Sequence, residues 1–402
     1  MPAKRPAYLT TLTPLRGIAA LLVVIFHCNL MLMPFVPPGY TNLVSNGWLW
    51  VDFFFMLSGF IMCYVYGKYF TRRVTWAQYK KYIGARFARV YPLHFFTTIW
   101  ALICIVAIIN KASNLDPFFN VIFNPKALPA CLLLIQSLHI YITPPLNTPS
   151  WSLSTEWWMY MIFPFMVPVF ANLKKRGKLA TLFLLILFYL FLRYIIGPMA
   201  LSFGSPKPTL NLVSDFGLFR CLAGFLAGML LFGFYRDKAG YAVLKSSWCF
   251  IAFFLAALLC MHFGAADIII LAFFPFILIS AAYNSTQVKR LLDTTVLQRL
   301  GDWSFSIYMV HVPLIWMFTI LAVNKNPAMF GDLVKLLSQK PDYQLGAMMC
   351  MVVVALTILI ASLTYRFIEV PARNYLNDAF KTKKKKIKAV DTEYDLVADA
   401  NK

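Results

Sequence analysis

Long apolar runs separated by short polar segments follow one another along most of this chain. A helix that crosses a membrane needs about 20 mostly apolar residues. One apolar run, 128–142, is too short for this and is followed by the sequence TPPLNTPS. The pattern predicts an all-α fold, a polytopic transmembrane helical bundle. We interpret ten runs as its spanning helices, at roughly 15–34, 47–67, 90–110, 153–171, 178–197, 212–234, 244–263, 267–284, 303–323 and 344–368.

The Lys and Arg residues between these runs predict the topology, because cytoplasmic loops are enriched in both. With the N-terminus in the cytoplasm, the seven cations of 68–89 fall on the cytoplasmic side. The cluster KKRGK at 174–178 falls there too, provided that 128–150 does not cross the membrane. We therefore expect about ten crossings, both termini in the cytoplasm, and a re-entrant or interfacial segment at 128–150.

The composition agrees with repeated membrane crossing. Of the 402 residues, 60% are hydrophobic and 13% are charged, which is far from the composition of a soluble domain. No polar stretch is long enough to form a second domain. We expect one transmembrane domain, 1–376, followed by a basic and disordered cytoplasmic tail, 377–402.

The formal net charge of +21 raises the question of nucleic-acid binding. The cations lie in short clusters between apolar runs and in the tail, with KTKKKK at 381–386. Membrane topology explains this placement better, so we expect membrane lipid and no nucleic acid among the partners. The eight cysteines are scattered without a C-x-x-C pair. We therefore expect neither a metal site nor a disulfide framework.

The strongest chemical signal lies in a predicted hairpin, where Arg16 and His27 interrupt one apolar run and Asp52 interrupts the next. Ionisable groups in spanning helices usually face the protein interior and serve a pathway or a reaction. The helical rise places His27 about 16 Å beyond Arg16 and at a depth similar to that of Asp52. A core histidine bonded to a backbone carbonyl is the structural alternative. We favour a functional imidazole that takes a proton, with Asp52 setting its tautomer.

Arg86 and Arg89 lie three residues apart in ARFARVYPLH, on one helix face at the predicted cytoplasmic mouth. Two guanidinium groups in this position suit a phosphate-bearing ligand, since each can bind phosphate oxygens in a bidentate manner. An interfacial pair that only obeys the topology rule is the alternative. Glu369, in YRFIEVPAR, is a candidate ion-pair partner for one of these arginines.

Further polar side chains lie in motifs near the predicted helix ends. Ser152 in WSLSTE also fits an ordinary helix start, and core packing also explains Tyr308. Arg220 is compatible with a structural pair, with Asp215 nearby, or with a substrate contact. We assign substrate binding or support to Ser152, Glu156, Arg220, Tyr308, His311 and Glu369.

These stretches together resemble the acyltransferase 3 family of integral membrane acyltransferases. The matching pieces occur in the family's order and extend from near residue 10 to residue 375. Each piece is weak alone, whereas the ordered set is specific. The pieces are the pair Arg16 and His27, VDFFFMLSGF, RFARVYP, WSLSTE, FSIYMVHVP and RFIEVPAR.

The resemblance implies transfer of an acyl group, most often acetyl, from acyl-CoA to a hydroxyl group, frequently on a cell-surface glycan. It implies that His27 is catalytic with support from Asp52, and that Arg16, Arg86 and Arg89 help to hold the donor. It also implies a bacterial inner membrane protein. Some relatives carry an appended extracytoplasmic hydrolase-like domain. Because the tail of this chain is short and predicted to be cytoplasmic, we expect no such domain here, and a separate extracytoplasmic acyl-transfer partner stays open.

Two other classes of function fit parts of the pattern. A proton-coupled secondary transporter would also have about ten helices and buried ionisable groups such as His27 and Asp52. The absence of an obvious internal repeat and the paired arginines weigh against it. A non-catalytic membrane scaffold leaves the buried histidine and aspartate unexplained.

Overall fold

The computed structural model describes residues 9–111, 122–200, 207–284, 287–325 and 342–380, and these residues form helices joined by loops, with no strand among them. The tail sequence KTKKKK lies outside the described residues. The helices are α1 (Leu12–Met31), α2 (Trp50–Phe70), α3 (Trp76–Lys111), α4 (Leu128–Leu132), α5 (Ser150–Ala171), α6 (Lys175–Phe191), α7 (Gly217–Arg236), α8 (Tyr241–Leu244), α9 (Ser247–His262), α10 (Asp267–Tyr283), α11 (Gln287–Leu292), α12 (Thr295–Asp302), α13 (Ser304–Lys325) and α14 (Tyr343–Thr364).

Among the described residues, seven helices are long and apolar enough to cross a membrane. The all-helical membrane fold is therefore confirmed, whereas the count of about ten crossings is not. Helices α9 and α10 occupy predicted positions but contain only 16 and 17 residues. The seven long helical segments are Leu12–Met31, Gly47–Phe70, Trp76–Lys111, Lys175–Met199, Gly217–Arg236, Ser304–Leu321 and Tyr343–Phe380.

The segment 128–150 does not form a spanning helix. Its only helix in the described chain before Ser150 is α4, whose five residues are too few to cross a bilayer. The segment is fastened to its neighbours by side chains, because His94 of α3 lies 2.8 Å from the Cys131 carbonyl and Ser154 of α5 donates to the Leu134 carbonyl at 2.8 Å. These hydrogen bonds fix the position of the start of α5, which carries Ser152.

Glycine residues allow α2 and α7 to pack with their backbones in close approach. A Cβ added to Gly59 would lie 2.0 Å from the Phe225 carbonyl oxygen, and one added to Gly228 would lie 1.9 Å from that of Met56. Small residues are the usual means of bringing membrane helices this close. The contact places the polar side chains of α2 directly opposite those of α7.

Helix α13 is the central element on the other side of the bundle and packs against α1, α3 and α14. This arrangement brings residues near position 310 to the first helix, although they lie far apart in sequence. The helix that begins as α14 continues through a π-helical turn, Tyr365–Glu369, and is helical as far as Phe380, the last residue that the structure describes. The start of the predicted tail, 377–380, is therefore helical.

Candidate active site

A cavity of about 170 Å³ lies among α1, α2, α3, α5 and α13. The cavity wall on α2 is a single face of that helix and includes Phe54, Ser58 and Ile61. Six of the residues predicted from the sequence line it, namely Arg16, Arg86, Arg89, Ser152, Glu156 and Tyr308. The other five, His27, Asp52, Arg220, His311 and Glu369, do not line it.

The end of the cavity next to the start of α1 is cationic. Arg86 donates to the Tyr66 hydroxyl at 2.8 Å and lies over the Tyr66 ring. Arg89 forms an ion pair with Glu369. Within the part of the chain that the structure describes, Arg16 has no carboxylate within ion-pair distance. Positive charge therefore remains available at this end for an anion.

Glu369 is held by three elements of the bundle. It is 1% exposed, accepts a hydrogen bond from Ser306 at 3.0 Å and pairs with Arg89. Arg373, one turn further along, is 4.0 Å away. Its place in a π-helical turn is typical of functional positions in long helices. Glu369 thus fixes the orientation of Arg89 and offsets its charge.

A hydroxyl network lies along the α5 wall of the cavity. The hydroxyl groups of Ser152 and Tyr308 are 2.7 Å apart, and both also lie within bonding distance of the Pro149 carbonyl. Tyr160 donates to Glu156 at 2.5 Å. Ser152 and Tyr308 therefore meet on the cavity wall, one helical turn before Glu156 on α5 and one turn beyond Ser304 on α13.

His27 and His311 face each other outside the cavity. Nε2 of His311 lies 3.2 Å from Nδ1 of His27, and the ring centroids are 4.9 Å apart. His311 is fully buried, whereas His27 is partly buried. The meeting of α1 and α13 thus creates a histidine pair that the hairpin pattern at 16–60 does not predict.

The hydrogen bonds of this pair define its tautomers. Nδ1 of His27 lies 2.9 Å from the Val23 carbonyl, and Nδ1 of His311 lies 3.2 Å from that of Ile307. A carbonyl oxygen can only accept, so each neutral ring carries its proton on Nδ1. Nε2 of His311 is then an acceptor for the Nδ1 proton of His27. Nε2 of His27 has no hydrogen-bond partner among the described residues, so its lone pair is available, as a general base requires.

Asp52 does not support His27 by direct contact, contrary to the expectation from matching depth. Its two carboxylate oxygens accept from Arg220, at 3.0 Å from Nε and 2.7 Å from Nη2. Arg220 also donates to the carbonyls of Leu212 and Trp48. Arg220 forms its ion pair with Asp52 because the close approach of α2 and α7 brings the two side chains together.

Sequence reasoning missed Phe54 and Ser58, which complete the cavity wall on α2, and Tyr66, which accepts a hydrogen bond from Arg86. A signal for the first two was present, because Phe54 and Ser58 are four residues apart and hence on one face of α2. The sequence carries no such signal for Tyr66, because its role depends on its contact with Arg86, which is on another helix. In the described residues, no three His, Cys, Asp or Glu side chains are grouped so that they could hold a metal ion.

Comparisons with known proteins indicate the family of this chain. A family model for an acyltransferase domain, that of the acyltransferase 3 family, matches residues 12–366. The acyltransferase MdmB of Streptomyces mycarofaciens is 28% identical over 330 residues, which cover 76% of this chain and 79% of that protein. The O-acetyltransferase OatA of Staphylococcus aureus is 25% identical over 417 residues, which cover 94% of this chain and 60% of OatA.

A third relative, also from Staphylococcus aureus and provisionally named an O-acetyltransferase, is 22% identical over 92% of this chain and 58% of its own length. The chain therefore spans less than two thirds of the length of its staphylococcal relatives. No solved structure matches it. The family match covers most of the described bundle, including both histidines and every residue named along the cavity wall. This integral membrane chain belongs to the acyltransferase 3 family.

Proposed function

We propose that this protein transfers an acyl group, acetyl in the first instance, from cytoplasmic acyl-CoA to a hydroxyl group of a cell-surface or exported glycan. One observation carries the proposal. A single cavity has arginines at one end and ends, at Ser152 and Tyr308, beside a histidine pair with a free ring nitrogen. The names of MdmB and OatA, an acyltransferase and an O-acetyltransferase, support the same reaction class.

The cationic end is the docking site for the donor nucleotide. Acyl-CoA carries several phosphate charges, and arginine binds phosphate through paired N–H groups. Arg16 and Arg86 supply the available charge, while Arg89 is held by Glu369. The α2 wall between Met62 and Phe54 is about 12 Å long by helical rise. The pantetheine arm would lie along this wall with its thioester directed to the far end.

His27 then serves as the general base for the acceptor. Nε2 takes the hydroxyl proton as the oxygen attacks the thioester carbonyl, and the Nδ1 proton stays shared with His311 and the Val23 carbonyl. A hydroxyl proton of Ser152 or Tyr308 would turn from its bond to the Pro149 carbonyl and donate to the oxyanion. When the carbon–sulfur bond breaks, the CoA thiolate receives the proton from His27. The same free Nε2 would also allow a two-step route in which His27 accepts the acyl group first.

The position of His27 suits an acceptor that arrives from the other side of the membrane. His27 lies eleven residues beyond Arg16 along α1 and is only partly buried as a residue. If the chain lies in a bacterial inner membrane with both termini on the cytoplasmic side, a cytoplasmic donor and an extracytoplasmic hydroxyl group would meet at this ring. Delivery of the acyl group to its final acceptor by a separate extracytoplasmic protein is compatible with the proposal.

The alternative of a proton-coupled transporter requires His27 and Asp52 to exchange protons. The carboxylate of Asp52 is instead engaged by Arg220 on both oxygens. No observation in the described structure favours transport over transfer.

The test uses sealed membrane vesicles of either orientation from cells that produce the protein, so that native acceptors are present, and measures CoA thiol release when acetyl-CoA is added outside. We expect release with donor at the cytoplasmic face and a loss of about 10²-fold to 10⁴-fold in His27→Ala, the usual worth of a general base. His262→Ala is the matched control, since this histidine contacts Thr41 and not the cavity. Solute uptake without thioester consumption would instead support the transporter.

A further inference from the structure

The cavity stops one helical turn short of the histidine pair. Its deepest wall residues are Phe54 of α2 and Tyr308 of α13, whose rings meet edge to face with centroids 5.7 Å apart. The ring of His311, which does not line the cavity, lies 6.0 Å from that of Tyr308. An acyl group held in the cavity therefore has an aromatic pair between itself and the catalytic side of the bundle.

The two rings are held very differently. The Tyr308 hydroxyl lies 2.7 Å from that of Ser152 and donates to the Pro149 carbonyl at 3.3 Å, and Tyr308 is 8% exposed. Phe54 has no polar atom in its side chain and is only partly buried, although the rest of its helix turn is tightly packed. Tyr308 is thus a fixed wall, and Phe54 is the ring that yields.

From this geometry, and resting on the proposed function, we infer that the Phe54–Tyr308 ring pair is a size filter that selects short acyl thioesters. A two-carbon acyl group needs only a small displacement of the Phe54 ring to reach His27. Every further methylene must be fitted between a fixed tyrosine and a phenylalanine in a close-packed interior, where added volume forces neighbouring groups out of place. The filter therefore discriminates against long chains at the acyl end and ignores the nucleotide end.

The helix α2 supplies a matched control. Ile61 lines the same cavity on the same face of α2, seven residues and about 10 Å nearer to the arginines. Removing its side chain enlarges the cavity by a comparable amount at a place where the pantetheine arm lies. A change in acyl-chain selectivity is expected at Phe54 and not at Ile61.

The experiment uses inverted membrane vesicles from cells that produce the full chain, so that native acceptors are present and the donor reaches the cytoplasmic face. CoA thiol release is measured with acetyl-, butanoyl- and octanoyl-CoA, and vesicles without the protein give the background. We expect the wild type to prefer acetyl-CoA over octanoyl-CoA by at least about 100-fold in kcat/KM. Phe54→Ala should lower this preference at least tenfold, and Phe54→Leu should lower it by less. Ile61→Ala should leave it within twofold.

An unchanged preference in Phe54→Ala and Phe54→Leu overturns the filter, as does an equal change in Ile61→Ala or a wild type that uses octanoyl-CoA as well as acetyl-CoA. These outcomes leave acyl transfer itself intact. Absence of thiol release above background from the wild type with all three donors is a different result, because it refutes the proposed function and the filter with it. The leucine variant keeps most of the apolar volume, so the inference stays testable if the alanine variant does not accumulate.

Discussion

Two groups of charged side chains lie inside the same bundle and differ in how fully the protein satisfies them. Arg220 of α7 is 1% exposed and donates to both oxygens of Asp52 and to two backbone carbonyls. Its guanidinium also lies 4.8 Å from the ring centroid of Trp48. At the cationic end of the cavity, Arg86 contacts a tyrosine hydroxyl, and no ion pair is described for Arg16.

The difference separates structural charge from functional charge. A buried arginine whose donors are all satisfied has nothing left to offer a ligand, and it holds the helices that contribute its partners. Arginines that line a cavity with donors to spare are suited to an anionic substrate. In the sequence the two groups look alike, since each is an ionisable residue in an apolar run.

The largest expected effect lies on the structural side. Asp52→Ala leaves the Arg220 guanidinium buried without its counter-charge, which typically costs about 3–5 kcal/mol in the free energy of unfolding. Thermal unfolding of the purified protein in detergent, followed by the loss of the monodisperse species, measures the effect. We expect a large fall in thermal stability and in yield.

The double variant Asp52→Leu, Arg220→Met sharpens the comparison. Replacing both members of a buried ion pair by apolar side chains is often nearly neutral. We therefore expect it to recover stability and acyl transfer together. A stable double variant that is inactive would place the pair in the chemistry and remove the distinction drawn between the two groups.

The next effect concerns the histidine pair. His311→Ala removes the acceptor for the Nδ1 proton of His27, and this bond matters most when His27 is protonated in the transition state. A hydrogen bond to a charged group is worth about 1.5–3 kcal/mol, so kcat should fall by about tenfold to 150-fold with an unchanged KM for acyl-CoA. His311→Gln keeps an acceptor and should recover part of the loss. Wild-type kcat in His311→Ala would show that His27 acts alone.

A smaller effect is expected from the packing that brings Asp52 to Arg220. Gly228→Ala places a Cβ 1.9 Å from the Met56 carbonyl oxygen, so α2 and α7 must move apart. Overpacking of this kind typically costs about 1–3 kcal/mol in stability. Gly67 lies on α2, and a Cβ added there meets no atom within 4 Å. The control variant Gly67→Ala should therefore leave the free energy of unfolding unchanged or raise it by up to about 1 kcal/mol. Equal thermal stability of the two variants would contradict the close approach of these helices.

The sequence predicted the parts of this molecule that depend on position along the chain. The apolar runs located the helices, and the helical rise predicts a similar depth for His27 and Asp52, which stays a prediction. The partner of a side chain across the bundle depends on which helices pack together and on the rotation of each helix about its own axis. Neither the apolar runs nor the helical rise carries this information. His311 and Arg220 were therefore recognised as notable residues without their partners, and the glycine contacts of α2 with α7 gave no pattern that we read.

The smallest effect belongs to the cavity side. Arg16→Ala removes one guanidinium from the cationic end, where Arg86 remains, so we expect the KM for acyl-CoA to rise about tenfold, close to the worth of a single charge-assisted hydrogen bond. The value of kcat should not change, because Arg16 lies about 16 Å from His27 by helical rise and binds the part of the donor that does not react. Arg16→Lys keeps the charge without the bidentate geometry, so its KM for acyl-CoA should lie between those of the wild type and Arg16→Ala. Steady-state kinetics over a range of acetyl-CoA concentrations separates these quantities. A fall in kcat at constant KM would mean that Arg16 acts on the transition state, and the cavity would then have to run in the direction opposite to the one proposed.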